Sequence, residues 1–248
     1  MRTTRLYCED ILRCGETIQL STETSNHLIR VLRTKIGTTV ILFNGDGFDY
    51  SCKTLDNDSR KTKLSIESKT EVTNESNLDI TLIQGLSRND RIETSIQKSV
   101  ELGVNKIIPV TCQRSNTKTP KEKFAKKIIH WNKVAISACE QSGRCAVPEV
   151  SDILTINDLD DLLDDDALKI ILDPEATTTL NELNAGKEKN ELQSILIFIG
   201  PEGGLSNEEL SLLQKNNFTA ISFGPRILRT ETAGPAVIAA LQILWGDF

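Results

Sequence analysis

Ser194-Ile195-Leu196-Ile197-Phe198-Ile199 runs into Gly200-Pro201-Glu202-Gly203-Gly204, and Ala220-Ile221-Ser222-Phe223 runs into Gly224-Pro225-Arg226-Ile227-Leu228-Arg229-Thr230-Glu231-Thr232-Ala233. Each is an apolar run of strand length, a Gly- and Pro-rich loop and then a helix, the first starting near Ser206 and the second ending near Trp245. Two such units predict two backbone loops facing one small ligand at the carboxyl ends of parallel strands. Polar groups crowd into Arg226–Thr232 beside an apolar strand and an apolar helix, which is costly unless they are solvated, paired or used. Gly234-Pro235 reads as a helix start, with Pro235 in the first turn where its missing N–H does no harm. Neither loop is a phosphate loop, since no G-K-[ST] follows the glycines, and no G-x-G-x-x-G fingerprint opens an early βαβ unit.

Outward from these units, the chain divides near residue 72. Residues 1–72 read as β-rich: a strand over 38–43, a turn at Asn44-Gly45-Asp46-Gly47, a return strand over 48–55 and a further strand over 64–72. His27 to Arg33 predicts one or two helical turns. Polar Thr73-Asn74-Glu75-Ser76-Asn77 reads as a linker. From Leu78 the period changes. Strands at 78–86, 106–110 and 168–172 alternate with helices at 90–102, 121–141 and 156–163, which predicts a mainly parallel sheet covered on both faces over 73–248.

Composition narrows the function classes. With 38% hydrophobic and 26% charged residues and no apolar run near the ~20 residues of a membrane helix, the chain reads as an ordinary globular protein expected in the cytoplasm. Its six cysteines form no C-x-x-C pair and lie far from both histidines, so neither a disulfide framework nor a metal site is expected. The net charge of −6 hides an asymmetry. Residues 1–150 hold 23 Lys+Arg against 18 Asp+Glu, and residues 151–248 hold 6 against 17. A basic first part permits a local nucleic-acid face on an acidic protein.

Four segments and the two C-terminal loops, in order, resemble one family: His27-Leu28-Ile29-Arg30-Val31-Leu32-Arg33, Phe43-Asn44-Gly45-Asp46-Gly47, Gln97-Lys98-Ser99-Val100-Glu101-Leu102-Gly103-Val104, Ala138-Cys139-Glu140-Gln141-Ser142-Gly143-Arg144, and then the loops. The chain resembles the SPOUT class of RNA methyltransferases, and specifically the small-subunit ribosomal RNA (uracil-N3)-methyltransferase family, over nearly its whole length. Gly234-Pro235 departs from that family's pattern.

The resemblance implies a PUA-like β domain over 1–72 that docks RNA. It also implies an α/β methyltransferase domain over 73–248 whose chain forms a trefoil knot, with S-adenosylmethionine held by three loops. Its site would draw on Leu172, Ile199, Gly200, Glu202, Gly203, Phe223, Gly224, Ile227, Leu228, Thr232 and Ala233. The partners it implies are small-subunit ribosomal RNA and a second copy of the chain, with no membrane. Ribose 2′-O methylation and a non-catalytic RNA-binding dimer are the alternatives.

Methylating a uracil ring nitrogen requires loss of its proton and stabilisation of the anion. Arg229 suits the second task, because a guanidinium can hold a carbonyl oxygen bidentately. Glu231 reads either as general base or as the group that orients Arg229. Arg30 and Arg33, three apart on a helical turn, suit phosphate contacts, with Lys98, Arg114 and Arg144 as further candidates. His27 reads as structural.

Overall fold

A computed structural model of the chain describes residues 3–115, 120–159, 166–185 and 192–248. The chain forms two compact units, Met1–Glu75 with Cys139–Val147, and Ser76–Ala138 with Pro148–Phe248.

In the first unit β1 (Arg5–Tyr7), β2 (Thr17–Gln19), β3 (Thr39–Phe43), β4 (Phe48–Thr54) and β5 (Lys63–Glu71) form one sheet in the order β1-β3-β4-β5-β2. Only β1 and β3 pair in parallel. The β3–β4 turn follows from its sequence. Asn44 Oδ1 accepts the Asp46 N–H, Asp46 Oδ1 accepts the Phe48 N–H, and Gly45 and Gly47 take φ of +96° and +88°. Alternation along the strands turns Val40, Leu42, Tyr50, Cys52, Leu64 and Ile66 into a core closed by Leu6, Leu12, Leu20 and Leu28.

Helix α1 (Thr22–Asn26) is capped by Ser21, whose hydroxyl accepts the Thr24 N–H, and runs on as a π-helical turn, His27–Val31. That turn buries Leu28 and leaves Arg30 exposed; beyond it, exposed Arg33 adopts φ 55°. The segment from Cys139 is stitched to this unit by ion pairs. Arg144 meets Glu75 at 2.7 Å, and Arg5 meets Asp49 at 2.6 Å while donating to the Cys139 carbonyl at 2.9 Å.

The second unit is a parallel sheet of β6 (Asp79–Gly85), β7 (Lys106–Thr111), β8 (Glu149–Val150), β9 (Leu154–Thr155), β10 (Leu168–Leu172), β11 (Ser194–Ile199) and β12 (Thr219–Ile221). Its order is β12-β10-β11-β6-β7-β8, with β9 pairing further along β7. Its helices are α2 (Asn89–Glu101), α3 (Phe124–Ser142), α4 (Leu180–Asn184), α5 (Asn207–Lys215) and α6 (Thr230–Trp245). The sheet is covered on both faces, which is why Ile195 to Ile199 are buried without alternation. Ile83, Val110, Leu196 and Phe198 pack on Leu213 and Phe218 on one side. Ile92, Ile96 and Val100 of α2 and Val237, Ile238 and Leu241 of α6 are buried where those two helices pack together.

Two expectations change. The helix expected over 156–163 is a 3-10 turn, Ile156–Asp158, as far as it is described; residues 160–163 lie outside the described residues. Helix α6 begins at Thr230, so Pro235 sits inside it rather than in its first turn. The Thr232 and Ala233 N–H groups already donate to the Arg229 carbonyl, and burial of the helix outweighs the one i→i−4 bond that Pro235 cannot make.

The thiols give a first test. Cys14 alone is exposed; burial pushes Cys52, Cys112 and Cys145 up to about 12, Cys139 up to about 11, and raises Cys8. A thiolate-selective alkylating reagent near neutral pH therefore labels Cys14 quickly in the native protein, and the other five cysteines only after denaturation. Rapid native labelling of Cys139 or Cys145 contradicts this packing.

Candidate active site

The loops that leave β10, β11 and β12, three adjacent strands, converge at their carboxyl ends around a cleft of about 850 Å³. Each loop has a local reason for its path. Leu172 leads into Asp173-Pro174-Glu175, where Asp173 Oδ1 accepts the Glu175 N–H at 3.0 Å. The loop after Ile199 turns tightly because the Gly204 N–H donates to the Pro201 carbonyl at 2.9 Å and Gly204 takes φ +70°.

The same loop is pressed against its neighbours. A Cβ on Gly85 would stand 2.6 Å from the Pro201 nitrogen, and one on Gly203 would stand 2.8 Å from the Arg114 carbonyl oxygen. The loop then enters α5 through a capping box in which Ser206 and Glu209 satisfy each other's backbone N–H groups. Glu209 also accepts the Gln113 N–H at 2.7 Å, fixing the segment that carries Arg114. The third loop, Phe223 to Arg229, projects Ile227 into solvent at 84% exposure.

Of the residues expected from sequence, Leu172, Ile199, Gly200, Glu202, Phe223, Gly224, Ile227, Leu228, Arg229 and Ala233 line the cleft. Gly203, Thr232 and Glu231 do not; Gly203 packs against Arg114 beside the cleft. Arg226 and Arg229 are exposed at the mouth, and their guanidinium groups have no partner among the described residues.

Glu231 does not orient Arg229 here. Its carboxylate faces Arg91 Nε at 3.9 Å, and Arg91 Nη1 also donates to Glu202 Oε1 at 3.3 Å. Glu202 Oε1 further accepts the Arg88 N–H at the start of α2. Each carboxylate keeps a second oxygen, Glu202 Oε2 and Glu231 Oε2, buried with no partner among the described residues.

Arg91, Asp173, Glu175, Asn207 and Thr230 also line the cleft, though sequence reasoning did not single them out as site residues. Asp173 and Glu175 carried a usable signal, as polar residues directly after a parallel strand. Arg91 carried none, being one of several charges at a helix start. Cys112, near the cleft, is no nucleophile, because burial holds its thiol protonated at about 12.

The candidate RNA contacts separate. Arg30 and Arg33 are exposed on the first unit, Arg30 donating to Ser59 Oγ at 3.3 Å. Lys98 is exposed on α2 and paired with Glu101 at 2.8 Å. Arg114 stands at the cleft, its Nη1 3.5 Å from the Gly203 carbonyl. Arg144 is different: it is buried at 5% exposure in a two-pronged pair with Glu75, which makes it a structural residue instead of the surface contact expected from its charge.

A parallel sheet presenting three loops around one cleft, with two guanidinium groups at its mouth that have no partner among the described residues, defines an α/β protein with a cleft of small-ligand size. Comparison with known proteins gives the family. The model for an RNA methyltransferase domain matches residues 74–242, and the model for an RNA methyltransferase PUA domain matches residues 20–60.

The chain is 36% identical to the ribosomal RNA small subunit methyltransferase E of Buchnera aphidicola subsp. Schizaphis graminum, over 99% of this chain and 98% of the relative. It is 31% identical to the Bacillus subtilis protein of that name over 93% of each. Among solved structures, the Neisseria gonorrhoeae protein of that name, bound to S-adenosyl methionine, aligns over 100% of both chains at 35% identity and a TM-score of 0.90. A putative methyltransferase from Legionella pneumophila, in complex with its cofactor SAM, aligns over the same extent at 36% identity and a TM-score of 0.93. The chain belongs to this family of RNA methyltransferases.

Proposed function

We propose that the chain methylates N3 of a uridine in small-subunit ribosomal RNA, with S-adenosylmethionine as donor. The observation that carries this reading is the three-loop cleft with the unpaired Arg229 at its mouth. The cleft fits the donor. Its volume of about 850 Å³ suits a ligand of that size, Leu172, Ile199, Phe223 and Leu228 offer an apolar wall for a purine, and Asp173 and Glu175 offer acceptors for hydroxyl or ammonium groups. The donor supplies, when bound, a methyl group on a cationic sulfur.

The chain's own residues then position and stabilise. Arg229 holds the negative charge that the uracil ring acquires on losing its proton, while RNA contacts remote from the cleft hold the base in line. Neither His27 nor His130 lines the cleft, and the Glu231 carboxylate is engaged by Arg91. Stabilisation of the anion is therefore favoured over a dedicated base on the protein.

Residues 1–72 act as the RNA-docking domain through Arg30 and Arg33, and 73–248 as the transfer domain, to which Lys98 and Arg114 add phosphate contacts. A homodimer is supported by Ile243 and Phe248, exposed by 62% and 57% at the end of α6. The trefoil knot belongs to the same reading, supported by the parallel order in which β10 lies between β12 and β11. A cytoplasmic location is in keeping with a ribosomal substrate; among the described residues no helix is long and apolar enough to cross a membrane.

The test is donor-dependent stability. S-adenosylmethionine at a hundredfold excess over Kd stabilises the fold by about 2.7 kcal/mol and raises Tm accordingly, while ATP and NAD leave it unchanged. Folded protein whose Tm ignores saturating donor contradicts the reading.

A further inference from the structure

Two rows of contacts join the Gly200–Gly204 loop to the first turn of α6, and both use one face of α2. The inner row is neutral. Ser95 Oγ donates to Gln84 Oε1 at 2.7 Å, Gln84 Nε2 donates to Thr230 Oγ1 at 2.9 Å and to the Gly85 carbonyl at 3.3 Å, and Thr230 Oγ1 donates to the Gly200 carbonyl at 3.0 Å. Gln84 and Ser95 are almost wholly buried, and Thr230 nearly so. The outer row is charged, with Arg91 between Glu202 and Glu231. Arg91 and Ser95 are four residues apart and share a face of α2.

The two rows are not equally satisfied. In the inner row each hydroxyl and amide donor has an acceptor, and such a fully satisfied buried chain fixes one arrangement. In the outer row one guanidinium serves two carboxylates, leaving Glu202 Oε2 and Glu231 Oε2 without partners among the described residues. The inner row is thus the firmer constraint, and its last member is the residue directly after Arg229.

We propose that Gln84 and Thr230 are positioning residues that couple the donor loop to Arg229. The Thr230 hydroxyl holds the Gly200 carbonyl, and the Gln84 amide holds Thr230, so the donor loop and the backbone of Arg229 stand in one fixed relation. This rests on the cleft being the donor site and Arg229 standing beside the uracil.

Three variants test it. Thr230→Val keeps the shape and loses the hydroxyl; Thr230→Ser keeps the hydroxyl. Gln84→Glu replaces the donating amide with a buried carboxyl, which can donate to Thr230 only when protonated. Single-turnover transfer at saturating donor and RNA slows about thirtyfold in Thr230→Val, while donor Kd, by calorimetry, moves less than about threefold. Thr230→Ser restores transfer. The rate of Gln84→Glu relative to wild type rises about tenfold from about pH 8.5 to about pH 6.5, as the introduced carboxyl takes up its proton. Arg91 of α2, Glu231 of α6 and Glu202 of the loop are common to both proteins, so the ratio isolates that carboxyl.

Transfer by Thr230→Val near the wild-type rate, equal loss of donor affinity and transfer in that variant, or a flat Gln84→Glu ratio overturns the coupling. If Thr230→Val does not fold, the Gln84→Glu ratio decides alone. Wild-type protein that fails to methylate removes the underlying reading; active wild type with an active Thr230→Val removes the coupling only.

Discussion

Arg229→Lys slows methyl transfer about a hundredfold, while donor affinity stays within about threefold. In the proposed reaction Arg229 meets the developing anion. It is exposed at the mouth, and its guanidinium has no partner among the described residues, so its donors are available to a substrate. A lysine keeps the charge but presents it as a strongly hydrated point, without the planar fork that grips a carbonyl oxygen through two N–H groups. Donor affinity is spared because the cleft wall and the loop backbones remain. The two constants come from single-turnover rates and calorimetry. A variant that transfers as fast as wild type removes Arg229 from the chemistry; one that loses donor affinity tenfold moves Arg229 into the donor site.

The second large effect falls on two glycines that do not line the cleft. Gly85→Ala and Gly203→Val each weaken donor binding at least about tenfold and abolish the donor-induced rise in Tm at concentrations that saturate wild type. A Cβ on Gly85 would lie 2.6 Å from the Pro201 nitrogen, and one on Gly203 would lie 2.8 Å from the Arg114 carbonyl oxygen and 2.9 Å from Arg114 Cβ. Those neighbours are mostly backbone. They cannot swing aside as a flexible side chain would, so the Gly200–Gly204 loop has to move. Unchanged donor Kd in both variants means that the loop is not part of the donor site.

Much of the site was legible because it is local in sequence. Apolar runs of strand length ending in Gly200-Pro201-Glu202-Gly203-Gly204 and Gly224-Pro225 announce strand-to-helix turns from residue types alone, and the structure puts both at carboxyl ends of strands that flank β10. Pairings across long separations were not legible. Glu231 meets Arg91 because α2 packs against α6, and nothing in Thr230-Glu231-Thr232 distinguishes that partner from Arg229, two residues away.

Arg144 shows the same limit. Its charge reads as a surface contact until the fold brings Glu75 to it and buries the Arg144 side chain. Pro235 was misplaced because its local preference for a helix start gives way to the burial of α6 from Ala233 to Trp245 against the sheet and α2. That Gly203 also leaves room for Arg114 is a constraint only packing makes visible.

The most direct measurement is the identity of the methylated nucleoside. Small ribosomal subunits from cells lacking the activity are incubated with the protein and S-adenosylmethionine, their RNA is digested to nucleosides, and the products are separated and weighed by mass spectrometry. The expected result is N3-methyluridine, absent without donor, forming faster as pH rises through neutrality because the ring nitrogen must lose its proton, and not forming from free uridine. A 2′-O-methylated nucleoside, or methylation of another base, contradicts it.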